Sequence, residues 1–280
     1  MKNIYMSLTR LLLTLAILGM PTHIRAEEAA SKPSTPPSAK PPLEITADGS
    51  LEWFRNEQKL IARGNAKASQ DTSSIEAQTL SANYREDIKG RFEISEITAE
   101  ENVIIRSQSS TAYGGKATYN IDDSLAIMTG NNLRMISTDQ IVTAQDRFEY
   151  HITKGKLTAR GNATATRPNK KGGKDTLRAD KISATFKDNA KGERVLKTLQ
   201  AEGNVAISTP AEKITGTYAI YNADTNKAQI KGGVTITRGP NILEGSHADI
   251  DLNTHISRIF SDEKTNNGRV KAVFYPGSNE

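Results

Sequence analysis

The sequence predicts an all-β fold: a twisted, V-shaped antiparallel β jelly roll built from about six bent hairpins in a tandem duplication. Three observations carry this. From Leu43 onward apolar and polar residues alternate, with no helical period. A ten-residue segment centred on one bend position recurs six times. The spacing of those segments is nearly the same in both halves of the chain.

Residues 1–26 read as a secretory leader. Lys2 and Arg10 flank a polar start, Leu11 to Met20 form an apolar run, and Ile24 and Ala26 fit the −3 and −1 positions of a cleavage site. The run is too short to span a membrane. The alternative is a buried N-terminal helix, against which Pro21 and the small-residue exit argue. Residues 27–42 contain Pro33, Pro36, Pro37, Pro41 and Pro42, half of the ten prolines, and read as an extended, disordered tether.

The recurring segments are KLIARGNAKA (59–68), EITAEENVII (96–105), LAIMTGNNLR (125–134), KLTARGNATA (156–165), TLQAEGNVAI (198–207) and KAQIKGGVTI (227–236). They align on Gly64, Glu101, Gly130, Gly161, Gly203 and Gly232. The apolar residues lie two and four places to either side, as in Leu199, Ala201, Val205 and Ile207, and only the third copy breaks this. A Gly-Asn pair is a common hairpin turn. Here the apolar phase runs on through it, so each segment is expected to be one long strand that bends, with the glycine facing inward.

A second strand follows each bend: 75–84, 114–121, 141–150, 177–186, 214–223 and 242–252. Each starts near a small residue, namely Ala77, Gly114, Ala144, Ala179, Gly216 or Gly245, so both strands of a hairpin can bend at one level. Stacked bent hairpins form two facing sheets that share a crease.

Corresponding bend points in the two halves lie 97, 102 and 102 residues apart. This gives a first unit at 43–137 and a second at 138–276, continuous with it, before a tail at 277–280. Ser137 to Tyr150 is expected to run on as strand. Many inward positions are alanine, which suggests an interior that side chains do not fill.

The 280 residues hold 37 basic and 32 acidic side chains and no cysteine. Disulfides and thiolate chemistry are excluded. Loss of the leader removes Lys2, Arg10 and Arg25, and the remaining small net charge makes no case for nucleic acid. His151, His247 and His255 are not at metal-ligand spacing. The adjacent acids Glu100–Glu101, Asp122–Asp123 and Asp262–Glu263 read as solvated. No catalytic residue, metal or cofactor is expected, and the chain is not expected to be an enzyme. Arg167, Lys170, Lys171 and Lys174 form the densest basic cluster, a candidate phosphate contact or a solvated loop.

PLEIT (42–46), SLEW (50–53), the Gly64-Asn65 segment, IEAQTL (75–80), GKATYNIDDSLAIMTGN (115–131), LRADK (177–181) and ISRIFSDEKTNNGRVKAVFYP (256–276) together resemble the OstA-like family. More narrowly they resemble the LptA-type periplasmic bridge proteins of lipopolysaccharide export. The likeness spans roughly 42–276, but the second half alone nearly reproduces one family member. It implies a β jelly roll that shields lipid A acyl chains in the periplasm. It also implies end-to-end self-association and partners in the inner and outer membranes. Leu43 and Ile45 take first-strand positions linked to substrate and partner contact. Tyr119 and Ile121 match lipid-facing positions, and Tyr221 stands where Tyr119 does.

With Trp53 and the inward pairs Val103/Ile105, Val205/Ile207 and Val234/Ile236, these residues make the expected lipid lining. Exposing an acyl chain of about a dozen carbons to water costs on the order of 10 kcal/mol. Edges near Leu43 and Ile45, and near Val270 and Val273, are expected to add strands from partners. The alternative reading is a structural or partner-binding periplasmic β scaffold whose filled interior binds no lipid.

Overall fold

The computed structural model describes residues 42–86, 92–168, 173–190, 194–254, 256–262 and 268–276. The expected leader, nearly all of the tether, Lys170, Lys171, His255, Glu263 and the tail lie outside them.

The described residues form one antiparallel sheet with no α-helix. It opens with a broken rung, β1 (Glu44–Thr46) and β2 (Ser50–Phe54), both paired with β3 (Lys59–Gln70). Then come β4 (Ser73–Glu86), β5 (Phe92–Arg106) and β6 (Ser110–Asn120), each paired with its predecessor. Two broken rungs follow: β7 (Leu125–Thr129) with β8 (Arg134–Ser137), and β9 (Gln140–Thr143) with β10 (Arg147–His151). The stack continues through β11 (Lys156–Pro168), β12 (Lys174–Asp188), β13 (Arg194–Ser208), β14 (Lys213–Asn222), β15 (Lys227–Arg238) and β16 (Asn241–Asp251). It ends on β17 (Ile256–Phe260) and β18 (Lys271–Val273), both on β16. These are fourteen rungs, and at the usual strand spacing the stack is about 60 Å long.

The recurring segments are the bent strands expected. In β3 the register with β4 passes from Arg63↔Thr79 to Ala66↔Ala77, so Gly64 and Asn65 bulge opposite Gln78 alone. The same bulge recurs in β5, β11, β13 and β15. Its two residues both have positive φ, as Gly161 (82°) and Asn162 (46°) show. The third segment does not bend but breaks, between β7 and β8.

Three expectations need correction. The crease glycines do not face inward. A Cβ on Gly161 would lie 2.7 Å from the Asp146 backbone nitrogen, in the neighbouring rung. Glycine is there for the left-handed backbone and the close approach of that rung. Ser137 to Tyr150 is not one strand either. The chain turns at Thr138–Asp139 and breaks at Ala144–Asp146. The sheet nevertheless stays continuous, because β8 pairs with β9 and β7 with β10.

The third correction concerns alanine. Ala66, Ala99, Ala163, Ala179, Ala201 and Ala248 are fully buried along the crease, where the two walls meet. Larger residues such as Leu177, Leu199, Ile207 and Ile250 sit further up the walls. The crease alanines are covered by their neighbours and leave no open space beside them, while alanine also recurs further up the walls, at Ala68, Ala165 and Ala184 beside Ile75, Leu177 and Leu199.

Candidate functional site: an apolar interior with two exposed ends

Bending every long strand at one level directs the alternate side chains of both walls into one interior. A single hydrophobic cluster runs through it from Ala62 to Leu252, with Ile45, Ile75, Ile105, Tyr150, Ile236 and Ile259 packed against it. Two recesses open off this interior. The first, of about 30 Å³, lies between β1–β3 and β4–β5 and is walled by Leu43, Ile45, Leu51, Leu60, Leu80 and Ile97, among others. The second, only about 10 Å³ and too small for more than a single water, lies among β12–β15 and includes Leu177, Leu199, Ile207, Tyr221 and Ile230.

The expected lining divides by position. Val103, Val205, Ile207, Tyr221 and Val234 are buried. Ile45, Ile105, Tyr119 and Ile236 are half-buried. Burial raises the phenol pKa of both Tyr119 and Tyr221, so both rings stay neutral. The Tyr221 hydroxyl donates to Asn226 Oδ1 at 3.0 Å. Ile121 lies past the end of β6, in the turn, where its N–H donates to the Ser95 carbonyl. Trp53 and Leu43 are exposed on the first rung.

Both ends of the stack carry large exposed apolar side chains: Leu43, Leu51, Trp53 and Phe54 at one, Ile256, Val270, Phe274 and Tyr275 at the other. Leu43 and Val270 thus lie in opposite end clusters. Val273 is half-buried and pairs with Ile242. Among the described residues β2 pairs with β3 alone and β17 with β16 alone, so each end presents a strand edge.

Of the basic cluster, Arg167 and Lys174 lie among the described residues and Lys170 and Lys171 outside them. Arg167 is buried and meets the buried Asp175 carboxylate at 3.5 Å, while Lys174 is exposed. Alternation explains this: Arg167 continues the inward series Ala163, Ala165. Elsewhere, ion pairs decorate the outer face. Glu76 accepts from Arg106 at 2.6 Å and Lys67 at 3.2 Å, and chiefly the Arg106 bond holds its pKa below the ordinary value. Glu100 pairs with Lys116 and Asp122 with Arg85, each at 2.7 Å. Among the described residues no group of three or more His, Asp or Glu side chains is arranged to hold a metal.

Sequence reasoning placed Leu60 and Ile97 among the inward positions without singling them out as lipid contacts, bounded the second edge at Phe274, and passed over Leu80 and the exposed Leu51, Phe54, Ile256 and Tyr275. Leu60 and Ile97 were visible in the six-fold alignment, four residues before the bend. The exposed end residues carry no such signal, because alternation does not reveal which rung has a neighbour on only one side.

Two overlapping stretches, residues 44–156 and 145–256, match the family described as LptA/(LptD N-terminal domain) LPS transport protein. Comparison with individual curated sequences gives no match. Among solved structures, the chain is similar to LptH of Pseudomonas aeruginosa, described as the LptA-homologous periplasmic component of the conserved lipopolysaccharide transport device. Identity is 11%, the alignment covers 84% of this chain and 96% of that one, and the TM-score is 0.21, too low to support an inference. The sequence match takes in most of the β stack, both halves of the repeat included, and on that ground the chain belongs to the LptA/(LptD N-terminal domain) family of lipopolysaccharide transport proteins.

Proposed function

We propose that the protein is a periplasmic carrier that binds lipopolysaccharide, shields its acyl chains in the V-shaped interior, and bridges inner-membrane and outer-membrane components of the export machinery. The observation that carries this reading is the row of half-buried apolar side chains up the walls of the first half: Ile45, Leu60, Ile75, Ile97, Ile105 and Tyr119. Large apolar groups left part-wet are unfavourable, and covering them with an acyl chain recovers transfer free energy. The apolar clusters on both end rungs support docking by strand addition, to a partner or to another copy of this chain.

The test places a photo-crosslinking residue at Ile105 or Tyr119 in living cells, with the outward-facing Thr98 and Thr118 as controls. Adducts with lipopolysaccharide are expected at the inward pair. Equal yield at inward and outward positions would overturn the carrier reading. Depletion of the protein should also lower lipopolysaccharide at the cell surface.

A second reading, a scaffold that binds no lipid, is favoured by the filled core of the second half. Under it the crosslinks form to protein only, and surface lipopolysaccharide is unchanged on depletion.

A further inference from the structure

The duplication allows the interior to be compared with itself, position by position. Strand pairing fixes the equivalences. Tyr119 is in register with Ile97, and Tyr221 with Leu199. Ile105 faces Ala112 where Ile207 faces Ile214. Ile75 faces Ala68 where Leu177 faces Ala165. Even irregular features repeat: β5 bulges at Ser95 and β13 at Lys197, and these carbonyls accept from the N–H groups of Ile121 and Ala223.

Near the crease the halves agree: Val103 and Val205 are both buried, as are Ala99 and Ala201. Higher up the walls they diverge. Ile75, Ile97, Ile105, Ala112 and Tyr119 are all half-buried. Their counterparts Leu177, Leu199, Ile207, Ile214 and Tyr221 are 1–4% exposed. The same V is open at its mouth in the first half and shut in the second.

Sequence differences at three places accompany the closure. Ile214 stands where the first half has Ala112, which adds side-chain volume to the wall. The rim of the second half also carries inward charge. Arg167 and Asp175 form their buried pair where the first half has Gln70 and Ser73. Glu212, just before β14 and two residues before Ile214, stands where the first half has Ser110. Burial raises the Glu212 pKa and the Arg238 guanidinium opposes that rise. An acyl chain entering the second half through its mouth would have to displace paired, desolvated charges; at the first half it meets small neutral groups.

We infer that the acyl-chain groove is confined to the first half, β1–β6, and that the second half is a self-filled spacer about 35 Å long. This rests on the carrier reading above. It means that lipid is held and handed over at the first half rather than passed along the whole stack.

The test uses the mature full-length chain and purified lipopolysaccharide, with photo-crosslinking residues at the paired positions Ile97/Leu199 and Ile105/Ile207. Adducts at Ile97 and Ile105, with Leu199 and Ile207 no higher than the outward control Thr98, are the expected result. Comparable yield in both halves overturns the confinement and leaves the carrier reading standing. No adduct in either half overturns both.

Because a probe at buried Ile207 can perturb folding, a second pair of variants reads the same question through bound lipid. Ala112→Ile, which copies the closed half, is expected to lower the lipopolysaccharide that co-purifies per folded molecule. Ile214→Ala is expected to leave it unchanged. The reverse pattern overturns the inference.

Discussion

The indole N–H of Trp53 donates to the Tyr84 hydroxyl at 2.8 Å, fastening the exposed first rung to a buried residue two strands away. Trp53 is the only tryptophan of the chain and is 48% exposed beside the first recess. It is therefore a built-in reporter of that end. Titration with lipopolysaccharide or a docking partner should shift its emission to the blue; an unmoved spectrum under saturating crosslinking would rule out occupancy there. Trp53→Phe removes the hydrogen bond and should cost about 1 kcal/mol, read from the denaturant midpoint.

The crease predicts a contrast between two glycines. Gly161 (φ +82°) has the Asp146 backbone nitrogen 2.7 Å from where a Cβ would stand, whereas Gly233 (φ +71°) has open space. Gly233→Ala should cost only the left-handed backbone penalty of about 1–2 kcal/mol. Gly161→Ala must also move a neighbouring rung, so its melting temperature should fall clearly further. Equal losses would show that the rung spacing at the crease is slack.

The buried pair at the rim predicts an asymmetry. Asp175→Ala leaves the Arg167 charge buried without its carboxylate and should cost about 3–5 kcal/mol. Replacing both partners with apolar residues, Arg167→Met with Asp175→Leu, should recover most of that loss in chemical denaturation. If the single and double variants are equally unstable, the loss comes from packing rather than charge.

Acid sensitivity should trace in part to Glu76. Its pKa is held below the ordinary 4.5 in the folded chain, chiefly by Arg106 and then Lys67. The unfolded chain thus takes up this proton first as pH falls. The stabilisation is complete above about pH 4.5 and disappears as pH falls through the lower folded value. Glu76→Gln should flatten that limb of a stability-against-pH curve while leaving its alkaline side unchanged.

The exposed ends predict a separation of assembly from stability. Leu51→Lys or Phe274→Lys should weaken concentration-dependent self-association in sedimentation, with little change in melting temperature, because both side chains are mostly in water. Unchanged sedimentation with both substitutions combined would exclude these ends as contacts between copies.

Much of this fold was legible because alternation and repetition act together. Leu199, Ala201, Val205 and Ile207 announce a strand that bends, and five further copies announce a stack. What escaped the sequence was phase at the crease. In β4 the inward residues run Ala82, Leu80 and then Ala77, since Gln78 and Thr79 face the bulge and its flank rather than the interior. A pattern read at a strict period of two cannot show that slip. Arg167 escaped for the opposite reason: strict alternation did turn it inward, but a charged residue amid lysines reads as a solvated loop. The openness of the site was hidden as well. Tyr119 and Tyr221 both sit in an Ala-x-Tyr-Asn run, and their difference in exposure arises from residues outside that run.

The two-for-one bulge also governs how such a chain can change length. Adding or losing one residue within a wall would invert every side chain from there to the next turn, putting charge in the interior and leucine in water. Length can vary without that penalty in the turns, as between β11 and β12, where the register on either side is kept, or by insertion of a complete hairpin. The molecule grows in quanta, and its reach is set by a whole number of rungs.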